Sequence, residues 1–193
     1  MRRSQCEIIA KENLEEILGR CRVGRLATIG ADGYPYITPL NYVYWQGSVY
    51  FHCAHKGEKT DNLLRDPRVC FEVDIPLAYK GTDFDPQAPA CQVHQFYHSV
   101  IVRGRAEVIA DPGEKVAALN ALMASHEGVA DFSGITAEMP AVAACAVVAV
   151  RIETMSGKSD LAQKKSDAEK EKLRSYLQRR NLPGDAEAAR LIR

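Results

Sequence analysis

A polar, basic loop, HKGEKTDN at residues 55–62, stands immediately before a predicted helix. The first amides of a helix have no partner within the helix and carry partial positive charge, so they attract anions. Lys56 and Lys59 would add full positive charges at the same place. Because most lysines near a helix start are only solvated surface groups, this loop by itself is a weak indication of an anion site.

His52 is the side chain in this region best suited to moving a proton, and it lies on a predicted strand near Tyr50 and Ala54. A histidine on a strand is often only a hydrogen-bonded group in or beside the core. A neutral imidazole can instead hold a substrate or pass a proton to it. The residues alone leave both roles open.

Two spacings contain residue types that bind zinc, His52-x-x-His55 and Cys91-x-x-His94-x-x-x-His98. Residues three apart on an extended strand point to opposite faces, and the second set spans a predicted loop and a strand start. We therefore expect no metal site. No Gly-x-Gly-x-x-Gly follows a predicted strand, which argues against a Rossmann dinucleotide site.

Three predicted strands and two tight turns position these side chains. The strands cover residues 23–29, 34–45 and 48–54. The turns contain Asp32-Gly33 and Gln46-Gly47, and Asp-Gly between apolar runs is a strong hairpin signal because glycine supplies a positive φ at little cost. Pro35 and Pro39 interrupt the ladder of the second strand, which would leave backbone groups free for a flat polar ligand.

The rest of the chain is predicted to contain three further strands, four helices and one long loop. Asn13 and Asp111 are predicted helix N-caps, and Ser166 with Glu169 forms a capping box that opens a charged C-terminal helix. Residues 76–95 show no sustained period and are predicted to be a loop, and loops of this length are often functional lids. The further strands are predicted at residues 68–75, 96–110 and 141–152, and a short helix at 60–65.

The chain carries a series of separated motifs whose order is more specific than any one of them. They are GRLAT at 24–28, DGYPYITPLNY at 32–42, VYFH at 49–52, GEKTDN at 57–62, VCFEV at 69–73, YHSVIVRG at 97–104 and SGK at 156–158. In these motifs the chain resembles the pyridoxamine 5′-phosphate oxidase-like, FMN-binding split β-barrel family, and most of all its nitroimidazole-resistance type. The resemblance extends over about residues 2–160.

This resemblance implies a mainly β fold, a six-stranded antiparallel split β-barrel with flanking α-helices and a C-terminal helical extension. We assign residues 1–160 to the FMN-binding domain and residues 161–193 to the charged helical extension. Members of the family build identical cofactor sites across a subunit interface, so the resemblance also implies a homodimer.

By resemblance, Lys59 and Asn62 belong to the loop that holds the cofactor phosphate, and residues 38–41 to the strand along the flavin ring. The Ser156-Gly157-Lys158 motif would come from the second subunit. His52 matches a histidine beside the flavin-type pocket and is the predicted catalytic residue. The predicted cofactor-binding residues are Thr38, Pro39, Leu40, Asn41, His52, Cys53, Lys56, Lys59, Asn62, Ser99 and Lys158.

We expect an FMN-dependent oxidoreductase that reduces small molecules, with nitroaromatic compounds the favoured class. The alternative is a non-catalytic flavin- or haem-binding carrier or sensor, and the residues do not separate FMN from a deazaflavin such as F420. A pyridoxamine 5′-phosphate oxidase proper is disfavoured because the late strands lack a basic cluster for a second phosphate. Met155 stands where the family tends to have tryptophan, which puts an aromatic stack in doubt, although methionine can fill the same space.

Composition excludes several functional classes. The 193 residues include 25 basic and 25 acidic side chains, and the net charge of zero gives no pull toward nucleic acid or anionic membranes. No apolar run approaches the about 20 residues of a membrane helix, and acidic residues soon follow the basic start MRRS, unlike a signal peptide. Six cysteines without a Cys-x-x-Cys pair favour a reducing compartment. We therefore expect a cytoplasmic protein, and the resemblance implies that it is a homodimer that acts on a small molecule.

Overall fold

The computed structural model describes residues 3–127 and 133–193. Met1 and Arg2 lie outside the described residues. They belong to the predicted first domain and to the basic N-terminal segment that we distinguished from a signal peptide. The strands of the described chain are β1 (Glu7–Ile8), β2 (Val23–Ile29), β3 (Pro35–Asn41), β4 (Val43–Trp45), β5 (Ser48–Cys53), β6 (Arg68–Lys80), β7 (His94–Val108) and β8 (Ala146–Asp160). Its α-helices are α1 (Lys11–Arg20), α2 (Glu58–Arg65), α3 (Pro112–Glu127), α4 (Pro140–Ala144), α5 (Asp167–Arg180) and α6 (Asp185–Leu191).

The strands form one eight-stranded sheet in the order β3-β2-β6-β7-β8-β5-β4, with β1 paired to β8. The strand pairs with a defined register are antiparallel. The predicted mainly β, antiparallel fold with flanking helices is therefore confirmed. The described strands exceed the predicted six because the strand at 34–45 divides into β3 and β4, and because the two-residue β1 has no sequence signal.

Tyr42 lies at the division between β3 and β4. Its ring is buried and packs edge-on against Phe71, with centroids 4.8 Å apart. Its hydroxyl donates to the backbone oxygen of Leu18 at 2.5 Å. Burial raises the pKa of this hydroxyl, so it stays protonated and remains a donor.

Both predicted turns are confirmed. Gly33 has a φ of +85°, and the Tyr34 amide donates to Asp32 Oδ1 at 3.0 Å in the turn between β2 and β3. Gln46 and Gly47 have φ values of +47° and +73° in the turn between β4 and β5. Positive φ at both central positions is the two-residue turn geometry that matches the twist of antiparallel strands.

The chain divides into two compact units. The first unit contains the described residues of Met1–Ile17, Asp74–Val100 and Ser156–Arg193, and the second unit contains those of Leu18–Val73 and Ile101–Met155. In the second unit, α3 and α4 pack on strands β4, β5 and β8. The buried residues of that core are Val43, Tyr50, Ile109, Ala118, Leu119, Leu122, Val142, Val147 and Ala149.

The core of the first unit is formed largely by the C-terminal helices. Leu173, Tyr176 and Leu177, the predicted apolar anchors of α5, are buried against Leu77 and Phe96. The C-terminal segment therefore packs on residues of its own chain. The proposed domain boundary after residue 160 stays a prediction.

Two predicted elements are wrong in their extent. The loop at 76–95 is shorter, because β6 continues to Lys80 and β7 begins at His94, and the remainder contains 3-10 turns at Thr82–Phe84 and Ala90–Gln92. The composition changes at Pro76, but burial of Leu77 in the first unit's core prolongs the strand. The strand predicted at 141–152 was placed to begin too early, since β8 begins at Ala146. Pro140 suits a first helical turn and opens α4 instead.

The predicted helix caps have different outcomes. The amide of Glu114 donates to Asp111 Oδ2 at 2.7 Å, and the capping box of Ser166 and Glu169 is complete. The prediction that Asn13 is an N-cap is wrong, because α1 begins at Lys11 and Asn13 lies within its first turn. The ammonium of Lys11 pairs with Glu15, one turn later, at 3.3 Å. No helix among the described residues is long and apolar enough to span a membrane.

Candidate functional site

Strand β3 carries four of the predicted cofactor residues and lies at one end of the sheet order, paired with β2. Pro39 and Asn41 are exposed, whereas Thr38 and Leu40 alternate with them on the half-buried face. An edge strand offers backbone N–H and C=O groups to a ligand or a partner chain. The predicted run of residues 38–41 is therefore placed where a flat polar ligand can reach its backbone.

Thr38 also carries an unusual hydroxyl. Its Oγ1 is buried and has no hydrogen-bond partner among the described residues. Buried polar groups are nearly always bonded, because leaving one unsatisfied costs about 1–3 kcal/mol. This exception fits a group that a bound ligand completes, such as the polar edge of a flavin ring.

The basic loop leads into α2 through Gly57, whose φ of +128° is a conformation that other residues rarely adopt. No side chain caps the helix start, so its first amides are open to an anion. Lys56 is exposed, and the half-buried Lys59 holds its Nζ 5.3 Å from the centroid of the Phe51 ring. Glu58 and Asp61 in the first turn oppose an anion, so the two lysines must offset two negative charges.

Asn62 lies inside a hydrogen-bond network and is only 1% exposed. Its Nδ2 donates to Thr28 Oγ1 at 3.1 Å, and its Oδ1 accepts a bond from Arg65 at 2.8 Å. The hydroxyl of Thr28 donates to the backbone oxygen of Tyr36 at 3.4 Å, and Arg65 donates to that of Ile29. The network fixes α2 against β2 and β3, while contact between Asn62 and a cofactor stays a prediction.

Two members of this network, Thr28 and Arg65, are absent from the residues predicted for the site. Arg65 could have been found, because it follows Asn62 by three positions and so lies on the same helix face. Thr28 has no comparable signal, since its role depends on α2 packing against a strand 34 residues earlier in the chain.

His52 and Cys53 end strand β5, where they pair with Val147 and Ala146 of β8. The imidazole of His52 is exposed, and no hydrogen bond to another described residue fixes its ring, while Cys53 is half-buried. An exposed imidazole is accessible to a small molecule and can turn toward it. The catalytic role of His52 stays a prediction.

Ser99 and Lys158 belong to the first unit, whereas the other predicted site residues belong to the second. Ser99 is half-buried on β7. The ammonium of Lys158 contacts the hydroxyl of Tyr97 and lies 3.4 Å from Asp160 Oδ2. Chiefly the bond to Tyr97, and then Asp160, raises the pKa of Lys158. Its predicted reach toward the flavin of a second subunit stays a prediction.

One histidine of each zinc-type spacing contacts a group outside that spacing. His55 Nε2 lies 3.2 Å from the backbone oxygen of Ala143, and His94 Nε2 lies 3.2 Å from Asp160 Oδ1. Within residues 3–127 and 133–193, no three His, Cys, Asp or Glu side chains are grouped so as to hold a metal ion.

Comparisons with known proteins identify one matching family and several similar solved structures. A family model described as pyridoxamine 5′-phosphate oxidase matches residues 10–159, and no curated protein matches the sequence. A candidate 5-nitroimidazole antibiotic resistance protein from Bacteroides thetaiotaomicron is 26% identical with a TM-score of 0.67, covering 79% of this chain and 85% of its own.

Two further solved structures are similar. An FAD-binding protein from Mesorhizobium loti is 25% identical with a TM-score of 0.55, covering 79% of this chain and 96% of its own. An FAD- and haem-binding protein from Mycobacterium smegmatis has a TM-score of 0.69 and covers 84% of this chain and 77% of its own. At 19% identity, the last one shows the fold alone.

Proposed function

Because the chain belongs to the pyridoxamine 5′-phosphate oxidase family, we propose that it is a flavoprotein that binds FMN and reduces small molecules. The observation that carries the proposal is the match of residues 10–159 to that family. When bound, a flavin supplies the electron-transfer chemistry, and the protein supplies binding, orientation and proton control.

The chain's own residues have distinct parts in this proposal. Lys56, Lys59 and the uncapped start of α2 bind the phosphate. The buried hydroxyl of Thr38 and the edge backbone of β3 bond to the polar side of the ring. His52, exposed at the end of β5, orients the substrate or transfers a proton to it.

Nitroaromatic compounds are the proposed substrates. The support is the likeness to the Bacteroides thetaiotaomicron protein, which is described as a candidate for nitroimidazole resistance. The second candidate is a non-catalytic carrier or sensor of flavin or haem. The 25% identical Mesorhizobium loti protein, whose description names FAD and no reaction, favours a flavin carrier. We further propose a cytoplasmic homodimer, since all six cysteines are free thiols and Tyr34 and Ile37 are exposed apolar groups at β3.

Cofactor identity is the first test. The purified protein's absorption spectrum and the mass of its released cofactor separate FMN, FAD, F420 and haem. Lys59→Ala should weaken FMN binding about tenfold, because a charge-assisted bond to phosphate is lost. Lys11→Ala, an exposed helical lysine, is the matched control and should not change it. A protein that takes up no flavin would overturn the proposal.

Turnover separates the enzyme from the carrier. With NADH or NADPH as donor and a nitroimidazole as acceptor, the wild-type protein should oxidise the nicotinamide. His52→Gln should lower kcat by about 100-fold, because the imidazole transfers a proton. His126→Gln, at a histidine that contacts the backbone oxygen of Tyr42, is the control and should keep the wild-type activity. Tight flavin binding without turnover on any acceptor would favour the carrier. Sedimentation velocity tests the dimer.

A further inference from the structure

A cavity lies within the first unit, and none of the residues predicted to bind flavin lines it. The cavity has a volume of about 610 Å³. Its walls come from the segment before β1, the connection between β6 and β7, the end of β8 and the start of α5. This volume lies within the about 300–1,000 Å³ usual for small-molecule pockets.

Basic side chains outnumber acidic ones on the cavity walls. The basic residues are Arg3, Lys80, Lys164, Lys165 and Lys172, and the acidic residues are Asp85, Asp160 and Glu169. Two of the carboxylates are already paired, Asp160 with Arg3 at 3.2 Å and Glu169 with Lys165 at 2.8 Å. Among the described residues, no ion pair engages Lys80, Lys164 or Lys172, so these ammonium groups leave the walls with an excess of positive charge.

Lys80 is the cavity lysine whose surroundings most disfavour the charged form of its ammonium group. It is half-buried, and its Nζ lies 5.0 Å from the centroid of the Phe84 ring. Burial, and then the like charge of Lys165, lowers the pKa of Lys80, although Asp85 and Glu169 partly offset these effects. An anion in the cavity would relieve the repulsion between the two lysines.

The polar floor of the cavity is fixed before any ligand arrives. Asp160 is 6% exposed, and its carboxylate lies 3.2 Å from His94 Nε2 and 3.4 Å from the ammonium of Lys158. Gln163 accepts a bond from the Leu161 amide at 2.9 Å and donates to the backbone oxygen of Ser159 at 2.6 Å. Because Asp160 is surrounded by basic groups, it does not cancel the positive charge of the other walls.

The remaining walls are apolar. Phe96 and Leu173 are 1% and 3% exposed and belong to the core of the first unit. The half-buried Phe84 is held edge-on against Tyr176, with centroids 5.2 Å apart. A hydrated inorganic ion gains nothing from such surfaces, whereas an aromatic body does.

We propose that this cavity binds a small aromatic anion. The ring of the ligand contacts Phe84 and Leu173, and its carboxylate or phosphate contacts Lys80 and Lys172. The walls of the cavity contain neither the loop at 55–62 nor strand β3, which carry the proposed phosphate and ring contacts of the flavin.

Isothermal titration calorimetry of the full chain, with and without FMN, tests this proposal with benzoate, phenyl phosphate and neutral benzyl alcohol as probes. At least one of the two anions should bind, and whichever binds more tightly identifies the charged group. Benzyl alcohol should bind at least about tenfold more weakly, as expected when a charge-assisted contact is missing. Failure of both anions to bind, or equal binding of the alcohol, overturns the proposal.

Variants locate the bound anion. Lys172→Glu should weaken binding at least about tenfold, since one attraction becomes a repulsion. Lys11→Glu makes the same charge change on an exposed helical lysine outside the cavity and should have no effect. Lys80→Met is a second cavity variant, and thermal unfolding verifies that each variant folds. Binding lost in Lys59→Ala but kept in Lys172→Glu would place the anion in the loop at 55–62 and overturn the proposal.

Discussion

Thr28 and Thr38 of the second unit place the same hydroxyl group in opposite hydrogen-bonding situations. The hydroxyl of Thr28 accepts from Asn62 and donates to the backbone oxygen of Tyr36. The hydroxyl of Thr38 is buried without a partner among the described residues. A satisfied buried hydroxyl stabilises the fold, whereas an unsatisfied one costs stability and is retained where a ligand completes it.

Valine substitutions should separate the two roles. Thr28→Val should lower the free energy of unfolding by about 1–3 kcal/mol, because the Asn62 amide loses its buried acceptor. Thr38→Val should leave the unfolding free energy unchanged or raise it, and should weaken flavin binding several-fold. Urea denaturation and flavin fluorescence titration measure the two quantities. Unchanged flavin affinity in Thr38→Val would exclude the proposed contact with the ring.

At the scale of elements, the C-terminal helices are specified by their ends. Ser166 and Glu169 close a reciprocal capping box at the start of α5, and Asn181 ends it in the left-handed conformation with a φ of +52°. Gly184 precedes α6 with a φ of +86°, and a Cβ there would lie 1.7 Å from the backbone oxygen of Leu77. Only glycine allows this approach of the turn to β6.

Loss of the capping box should be measurable. Ser166→Ala should lower the free energy of unfolding by about 1 kcal/mol, because the amide of Glu169 loses its side-chain acceptor. Ser175→Ala, on the same helix, is the matched control, since its hydroxyl makes only a 3.4 Å contact with Glu171. Chemical denaturation of both variants measures the difference. An equal effect of the two substitutions would show that the cap adds nothing.

At the scale of the whole molecule, one buried ion pair connects distant parts of the first unit. Asp185 is fully buried and accepts two bonds from Arg180, at 2.9 and 2.6 Å. Arg180 also donates to the backbone oxygen of Tyr79 and to the hydroxyl of Tyr176. Breaking such a pair is costly, because the remaining charge stays buried without its partner.

This ion pair should make the free energy of unfolding depend on pH in the acidic range. The Arg180 guanidinium, as the main cause, holds the pKa of Asp185 below its ordinary value of 3.8. A carboxyl with a depressed folded-state pKa adds stability that is complete above its unfolded pKa of about 3.9 and is lost as pH falls through the folded value. Melting temperatures of the wild-type protein should therefore fall steeply below about pH 4.

The Asp185→Asn variant isolates this contribution. It should be less stable than the wild type at pH 7, and its melting temperature should fall less steeply below about pH 4, because the linked proton is absent. Asp167→Asn removes a fully exposed carboxylate and should behave like the wild type. Parallel acid slopes for Asp185→Asn and the wild type would rule out Asp185 as the source.

Features set by residues within a few positions of one another could be predicted from the sequence. The glycine-containing hairpin turns, the caps at Asp111 and Ser166 and the buried anchors of α5 all follow from local spacing. The motif order predicted the family, and residues 10–159 match it. These features were accessible because backbone conformation and helix capping depend on nearest neighbours.

Features that depend on contacts between distant residues required the tertiary structure. The extension of β6 past Pro76 depends on burial of Leu77 against α5, and the role of Asn62 depends on Thr28. The cavity combines Arg3 with Asp160, which lie 157 positions apart. The sequence by itself determined the family, the approximate positions of most strands and the basic loop. Only the folded chain decided which polar groups are satisfied and which are open to a ligand, because satisfaction is a property of three-dimensional neighbours.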